Sequence, residues 1–396
     1  MSSLVVRNIG ELLTNDPTIG ESPMGRRFNA AVVIDGGVVA WIGESAKAPA
    51  ADSVIDAGGG AVLPGFVDSH THLIFAGERS AEFEARMASV AYDGGGIWST
   101  VKATRAASSE FLRRRSQRLR GEMLCQGTTT IEVKSGYELT VAGEQRLVEI
   151  ASELSDEVTF LGAHTVPEEY ASDRDGYIEL VAGAMLDACS SHARWADVFC
   201  EGVAFSVDES RYVLGAAAQK GLGLRVHGNQ LAHSGGIALA VEMEAASVDH
   251  CTHYTKDDVT LLTDSDVVAS LLPAAEFSTR SPYPNARELL DAGVTVALAT
   301  DCNPGTAFVT SMPFVVALAV REMSMTVDEA LWAATLGGAR ALRRSDVGYL
   351  GLGACGDLMV LDAPRAAHVA YRPGSSLVQH VVRDGVATSF EESVSW

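Results

Sequence analysis

The chain has 396 residues, 47% hydrophobic and 20% charged, which excludes a disordered polymer and suits a barrel of about 250 residues beside a smaller domain. A formal net charge of −21 argues against nucleic acid and anionic membranes as partners, so an anionic ligand must be held by local cations. No apolar run of membrane-span length and no signal-like segment at Met1–Glu11 is present, and the six scattered cysteines form no CxxC pair, so reduced thiols in a cytoplasmic protein are expected.

In chain order, Ser3–Arg7, Ala30–Ile34 and Val38–Ile42 are β-branched and apolar, and Asp35-Gly36-Gly37 is a hairpin turn signal. From Ala61 the pattern changes. Eight apolar runs alternate with helical segments: Ala61–Val67, Thr129–Val133, Val158–Gly162, Trp195–Cys200, Leu222–Val226, Ala246–Asp249, Val267–Leu272 and Val294–Ala299. Ser108–Cys125, Gly143–Leu154 and Thr326–Leu342 have helical composition. This alternation predicts a (β/α)8 TIM barrel. Strand-like Leu358–Leu361 and Leu377–Arg383 follow, then Asp384-Gly385. Neither β-rich end could bury a sheet face alone. The expected organisation is a small β-sandwich domain from residues 1–60 and 347–396 around a catalytic barrel of residues 61–346.

Polar residues fall just after the apolar runs: Asp68-Ser69-His70-Thr71-His72, Lys134-Ser135-Gly136-Tyr137, Ala163-His164, Cys200-Glu201, His227-Gly228-Asn229-Gln230, Asp249-His250 and Asp301 to Thr306. In this fold the C-terminal strand ends form the active-site face. His70 and His72, two apart on a strand, point the same way. An HxH pair alone is as compatible with hydrogen-bonded core histidines. With His227 and Asp301 arriving from other strands it predicts a His3Asp centre for zinc or iron. Asp301 could instead cap a loop, but beside a metal it can take up a proton. His250 is the candidate imidazole partner. The fourth run ends without a lysine that could bridge two metals, so one metal ion is expected, and Lys134 is equally readable as structural or functional. Arg79 is a possible clamp for a substrate carboxylate. Tyr92, Tyr137 and His164 are ambiguous from the residues alone. Gly94-Gly95-Gly96 lacks the spacing of a phosphate-binding fingerprint and reads as a loop near the site.

Pro64-Gly65-Phe66-Val67-Asp68-Ser69-His70-Thr71-His72 resembles the first-strand signature of the amidohydrolase superfamily. Four segments are similar to the imidazolonepropionase family within it: Phe75-Ala76-Gly77-Glu78-Arg79, Glu132-Val133-Lys134-Ser135-Gly136-Tyr137, Leu161-Gly162-Ala163-His164 and Thr300-Asp301-Cys302-Asn303-Pro304-Gly305-Thr306. The resemblance runs through most of the chain. It implies hydrolysis of 4-imidazolone-5-propanoate to N-formimino-L-glutamate, with a homodimer expected. It further implies His70, His72, His227 and Asp301 as metal ligands, and Arg79, Tyr92, Tyr137 and His164 as substrate-holding residues. Gln230 would lie near the scissile bond and His250 beside the reactive water. Asn303, Gly305 and Thr306 would form the loop meeting substrate or product. Glu138, Gly228 and His233 depart from the family pattern. The rival readings are a deaminase or formiminoglutamate iminohydrolase of the same superfamily, and an inactive barrel serving in assembly.

Overall fold

The computed structural model describes residues 3–20, 22–88 and 96–390. Its first three strands are β1 (Leu4–Leu13), β2 (Arg26–Asp35) and β3 (Val38–Glu44), antiparallel neighbours, with β2 and β3 joined at the expected Gly36-Gly37 turn, where both glycines have positive φ. Two short strands follow, β4 (Ser53–Asp56) and β5 (Ala61–Pro64), both parallel to β1. The C-terminal strands β14 (Leu358–Leu361), β15 (Val378–Arg383) and β16 (Val386–Ser389) complete the same mixed sheet, because β14 pairs antiparallel with β5. The strands share one core, with Leu4, Val6, Val32, Val62, Leu358 and Val382 in a single buried cluster.

One expected barrel strand divides. Ala61–Pro64 belongs to the sheet from the chain ends, and only β6 (Phe66–Asp68) enters the barrel. Pro64 has no N–H with which to continue a ladder. Gly65 then packs so close to Thr129 that a Cβ would lie 2.2 Å from its hydroxyl.

The barrel strands are β6, β7 (Thr128–Lys134), β8 (Glu157–Ala163), β9 (Trp195–Cys200), β10 (Gly223–Gly228), β11 (Ser247–His250), β12 (Val268–Leu271) and β13 (Val296–Leu298), paired parallel in sequence order. Closure comes just beyond the ends of β6 and β13. Asp301 N donates to His70 O and His72 N to Cys302 O, each at 3.0 Å. The last helical segment of the barrel, Val327–Ala341, is interrupted by a π-helical turn at Ala333–Gly337. Gly337 and Gly338 let it approach β13 and β6; a Cβ on them would lie 2.5 Å from Val296 O and 2.2 Å from Val67 O. Closure by these backbone contacts gathers residues at the C-terminal ends of β6 to β11 and β13 around one opening. Among the described residues no helix is long and apolar enough to cross a membrane.

Candidate active site

His70 and His72 follow β6, His227 lies in β10, His250 ends β11 and Asp301 follows β13. Their ring nitrogens and carboxylate oxygen converge. Nε2 of His70 is 3.3 Å from Nε2 of His72, which is 3.4 Å from Nε2 of His227. Asp301 Oδ1 is 3.4 Å from His70 Nε2 and 3.6 Å from His72 Nε2. His250 and Asp301 have φ of 81° and 53°, left-handed conformations that cost about 1–3 kcal/mol each in a non-glycine residue. Asn303 holds the loop after Asp301. Its Oδ1 accepts the N–H groups of Gly305 and Thr306 at 2.8 Å, while Thr306 donates to Asp301 Oδ2 at 3.1 Å.

Beneath the histidines lies a buried layer of charge. Nδ1 of His70 is 2.7 Å from Asp249 Oδ2, and Nδ1 of His227 is 3.0 Å from Asp197 Oδ2. Lys134 Nζ is 2.8 Å from both Asp197 Oδ2 and Glu132 Oε1, and Arg225 lies 3.3 Å from Asp249. Burial would raise the Asp197 and Asp249 carboxyls. His227 and Lys134 outweigh it at Asp197, Arg225 and Lys134 at Asp249, and both stay below the ordinary range. Burial, reinforced by Lys134, holds His70 neutral.

A neutral ring that donates Nδ1–H to a carboxylate must present Nε2 as a lone pair. His70 therefore aims its Nε2 lone pair at the point that Asp301 also faces, and Nε2 of His72 and of His227 close around the same point. Bare lone pairs and a carboxylate packed this closely repel unless a cation lies among them. Four ligands about 2.0–2.1 Å from a tetrahedral ion would stand about 3.3–3.4 Å apart, close to the spacings found. His70, His72 and Asp301 form one group whose ligand atoms lie close enough to hold a metal ion, with His227 Nε2 3.4 Å from His72 Nε2. Burial, with the neighbouring Glu276 carboxylate adding to it, pushes Asp301 well up.

A cleft of about 170 Å³ opens over this cluster. Arg79, Tyr137, His164, Gln230, Asn303 and Thr306 line it together with His72, His227, His250 and Asp301. Ile97, Trp98, Phe199, Val203 and Leu231 give it an apolar wall. His164 is held neutral, burial lowering it to about 3, and its Nδ1 donates to Gly136 O at 3.0 Å; its Nε2 is therefore an acceptor. The backbone N–H groups of Gln230 and Leu231 donate to Glu201 Oε1 at 2.5 and 3.2 Å. Gly305 stands beside Arg79. Tyr92 and most of the Gly94–Gly96 loop lie outside the described residues.

Lys134 sits among the carboxylates that orient the imidazoles. Asp197, Asp249 and Arg225 are part of the same layer, and sequence reading gave none of them a role. The signal was an ionisable residue inside an apolar barrel run, as in Trp195-Ala196-Asp197-Val198. The departures lie off the metal donors. Glu138 pairs with Arg146 and half-exposed His233 with Asp258. Gly228 packs on Gly236, where a Cβ would meet Cα at 3.0 Å.

Residues 61–388 match the amidohydrolase family. The chain is 60% identical over 388 residues to imidazolonepropionase of Salinispora arenicola, covering 98% of this chain and 99% of that one. It is 57% identical over 385 residues to imidazolonepropionase of Mycolicibacterium smegmatis, covering 97% of each. Its fold is similar to a 5-methylcytosine deaminase from Klebsiella pneumoniae liganded with phosphonocytosine (TM-score 0.78, 18% identity, 99% and 100% coverage). It is also similar to a zinc-bound adenosine deaminase from Xanthomonas campestris (TM-score 0.70, 19% identity, 97% and 92% coverage).

Proposed function

The chain belongs to the amidohydrolase family, and from that premise we propose that it is an imidazolonepropionase, hydrolysing the cyclic amide C–N bond of 4-imidazolone-5-propanoate to N-formimino-L-glutamate. The observation that carries this reading is identity of 57–60% to imidazolonepropionases along nearly the full length of both chains. The cleft agrees with it, since Arg79 and the neutral imidazoles of His72, His164 and His250 line the same opening.

In this reading His70, His72, His227 and Asp301 hold one zinc or iron ion. Bound there, the ion would supply Lewis-acid chemistry, polarising the ring carbonyl and lowering the pKa of a water ligand to about 7. The protein's own residues do the rest. Asp249 fixes the ligand tautomer of His70, and Asp197 stands 3.0 Å from Nδ1 of His227. Asp301 and His250 are the groups that take the proton of the attacking water and return one to the leaving ring nitrogen. Arg79, with Tyr137 and the loop of Asn303, Gly305 and Thr306, binds the propanoate. His164 Nε2 accepts a ring N–H, and the Gln230 amide, its backbone fixed by Glu201, faces the scissile bond. The division into a small β domain of residues 1–60 plus 347–396 and a barrel of residues 61–346 shifts at one point, because Ala61–Pro64 pairs with the strands of the chain ends. Soluble, cytoplasmic action as a homodimer completes the reading.

Fresh 4-imidazolone-5-propanoate offered to metal-reconstituted protein tests it. Loss of the substrate's ultraviolet absorbance with a product of the mass of formiminoglutamate, and no ammonia, is expected. Ammonia release would favour a deaminase or an iminohydrolase instead.

A further inference from the structure

Arg79 stands at the N-cap of the helix Ser80–Met87, which places Arg79, Glu82 and Arg86 on one face. Nε and Nη2 of Arg79 donate to Oε1 and Oε2 of Glu82 at 2.9 and 2.6 Å. The Arg79 side chain is 4% exposed and that of Glu82 35%. Two glycines close over the pair. A Cβ on Gly96 would lie 2.1 Å from Arg79 Nη2 and 2.2 Å from Glu82 Oε2; one on Gly305 would lie 2.2 Å from Arg79 Nη1. Gly96 precedes the helix Ile97–Ala106, whose Ile97 and Trp98 line the cleft. Gly305 is tied to the other end of the stripe, its carbonyl accepting from Arg86 Nη2 at 2.8 Å. Any side chain at either glycine would displace the ion pair.

We propose that Glu82 is a positioning residue for substrate recognition. It occupies the Nε–Nη2 edge of Arg79 and so turns the Nη1 side toward Gly305, where the loop of Asn303 and Thr306 meets the cleft. A guanidinium is a planar fork with fixed donor directions, so a carboxylate on one edge dictates where a second carboxylate can bind. Specificity for a substrate with a carboxylate tail then depends on Glu82, which touches no reacting atom. The inference rests on Arg79 being the propanoate anchor. It opposes the simplest electrostatic expectation, in which Glu82 competes with the substrate for Arg79 and its removal tightens binding.

The test is a double-mutant cycle on reconstituted enzyme, with Arg79→Ala, Glu82→Ala and the double variant, and with Glu82→Gln as a milder change. KM and kcat are measured, together with inhibition by imidazole-4-propanoate and by 4-ethylimidazole, which lacks the carboxylate. Glu82→Ala should raise KM about tenfold and leave kcat within about threefold. It should weaken imidazole-4-propanoate by a similar factor without affecting 4-ethylimidazole, and add nothing in the Arg79→Ala background. Glu82→Gln, which keeps shape and one acceptor, should fall between. Unchanged or tighter substrate binding in Glu82→Ala, with Arg79→Ala still impaired, overturns the inference and leaves the anchor standing. So does a further loss in the double variant. An Arg79→Ala enzyme with unchanged KM removes the anchor and the inference with it.

Discussion

Nδ1 of His70 lies 2.7 Å from Oδ2 of Asp249, with both side chains fully buried. The carboxylate, backed by Arg225 and Lys134, keeps its charge in the core and accepts a hydrogen bond from Nδ1–H, so Nε2 presents a lone pair to the site. An asparagine at 249 could donate to Nδ1 and permit the other tautomer. Asp249→Asn should weaken metal binding about 10- to 100-fold in a competition titration with a chelator. Unchanged affinity would show that the tautomer is set elsewhere.

His250 lies beside His70 and His227, close enough for one ligand atom of each to fall within 4.8 Å of the others. As a proton-handling group rather than a ligand, it should be separable from metal binding. His250→Asn is expected to lower kcat about 10²- to 10⁴-fold with metal content unchanged by atomic absorption. Loss of the metal along with activity would make His250 a ligand.

Lys134 is the buried cation between Glu132 and Asp197. Removing it leaves carboxylates without their nearest countercharge, a change that costs about 3–5 kcal/mol when a buried pair is broken. Lys134→Met should lower the denaturation midpoint accordingly, and a variant as stable as the parent would contradict the role assigned to this layer.

Glu276 is buried and accepts the Thr252 hydroxyl on Oε1 at 2.6 Å. Burial pushes its carboxyl up from 4.5 to about 7. The folded state therefore binds its proton more tightly than the unfolded chain. The stability from this group is complete below about pH 4.5 and is lost as the pH rises through about 7. The span corresponds to about 3 kcal/mol at most. Glu276→Gln should be more stable than the parent at pH 8 and indistinguishable near pH 4. Equal pH dependence of the two proteins would disprove the assignment.

How far the sequence alone reaches can be judged at particular residues. Barrel runs such as Trp195–Cys200 were readable because both faces of a parallel strand are buried, leaving near-continuous apolar segments. The HxH pair alone was ambiguous, and the convergence of His70, His72, His227 and Asp301 became legible only because the candidates fall at separate strand ends of one barrel. The break at Pro64-Gly65 was hidden inside one continuous apolar run, since periodicity does not report which sheet a strand joins. Asp249 and Asp197 were hard to read because their partners, His70 and His227, lie 179 and 30 residues away. Glu82 was invisible for a different reason: a carboxylate three residues from an arginine on a helix is ordinary surface pattern.

The central claim is that one ion held by His70, His72, His227 and Asp301 enables hydrolysis of the imidazolone ring. Stripping the protein of metal, titrating zinc or iron back, and following formiminoglutamate formation tests it most directly. Activity should rise in proportion to bound metal, saturate at one ion per chain, and be absent from folded His70→Ala protein. Full turnover by the stripped enzyme or by His70→Ala, or saturation only at two ions per chain, would contradict it.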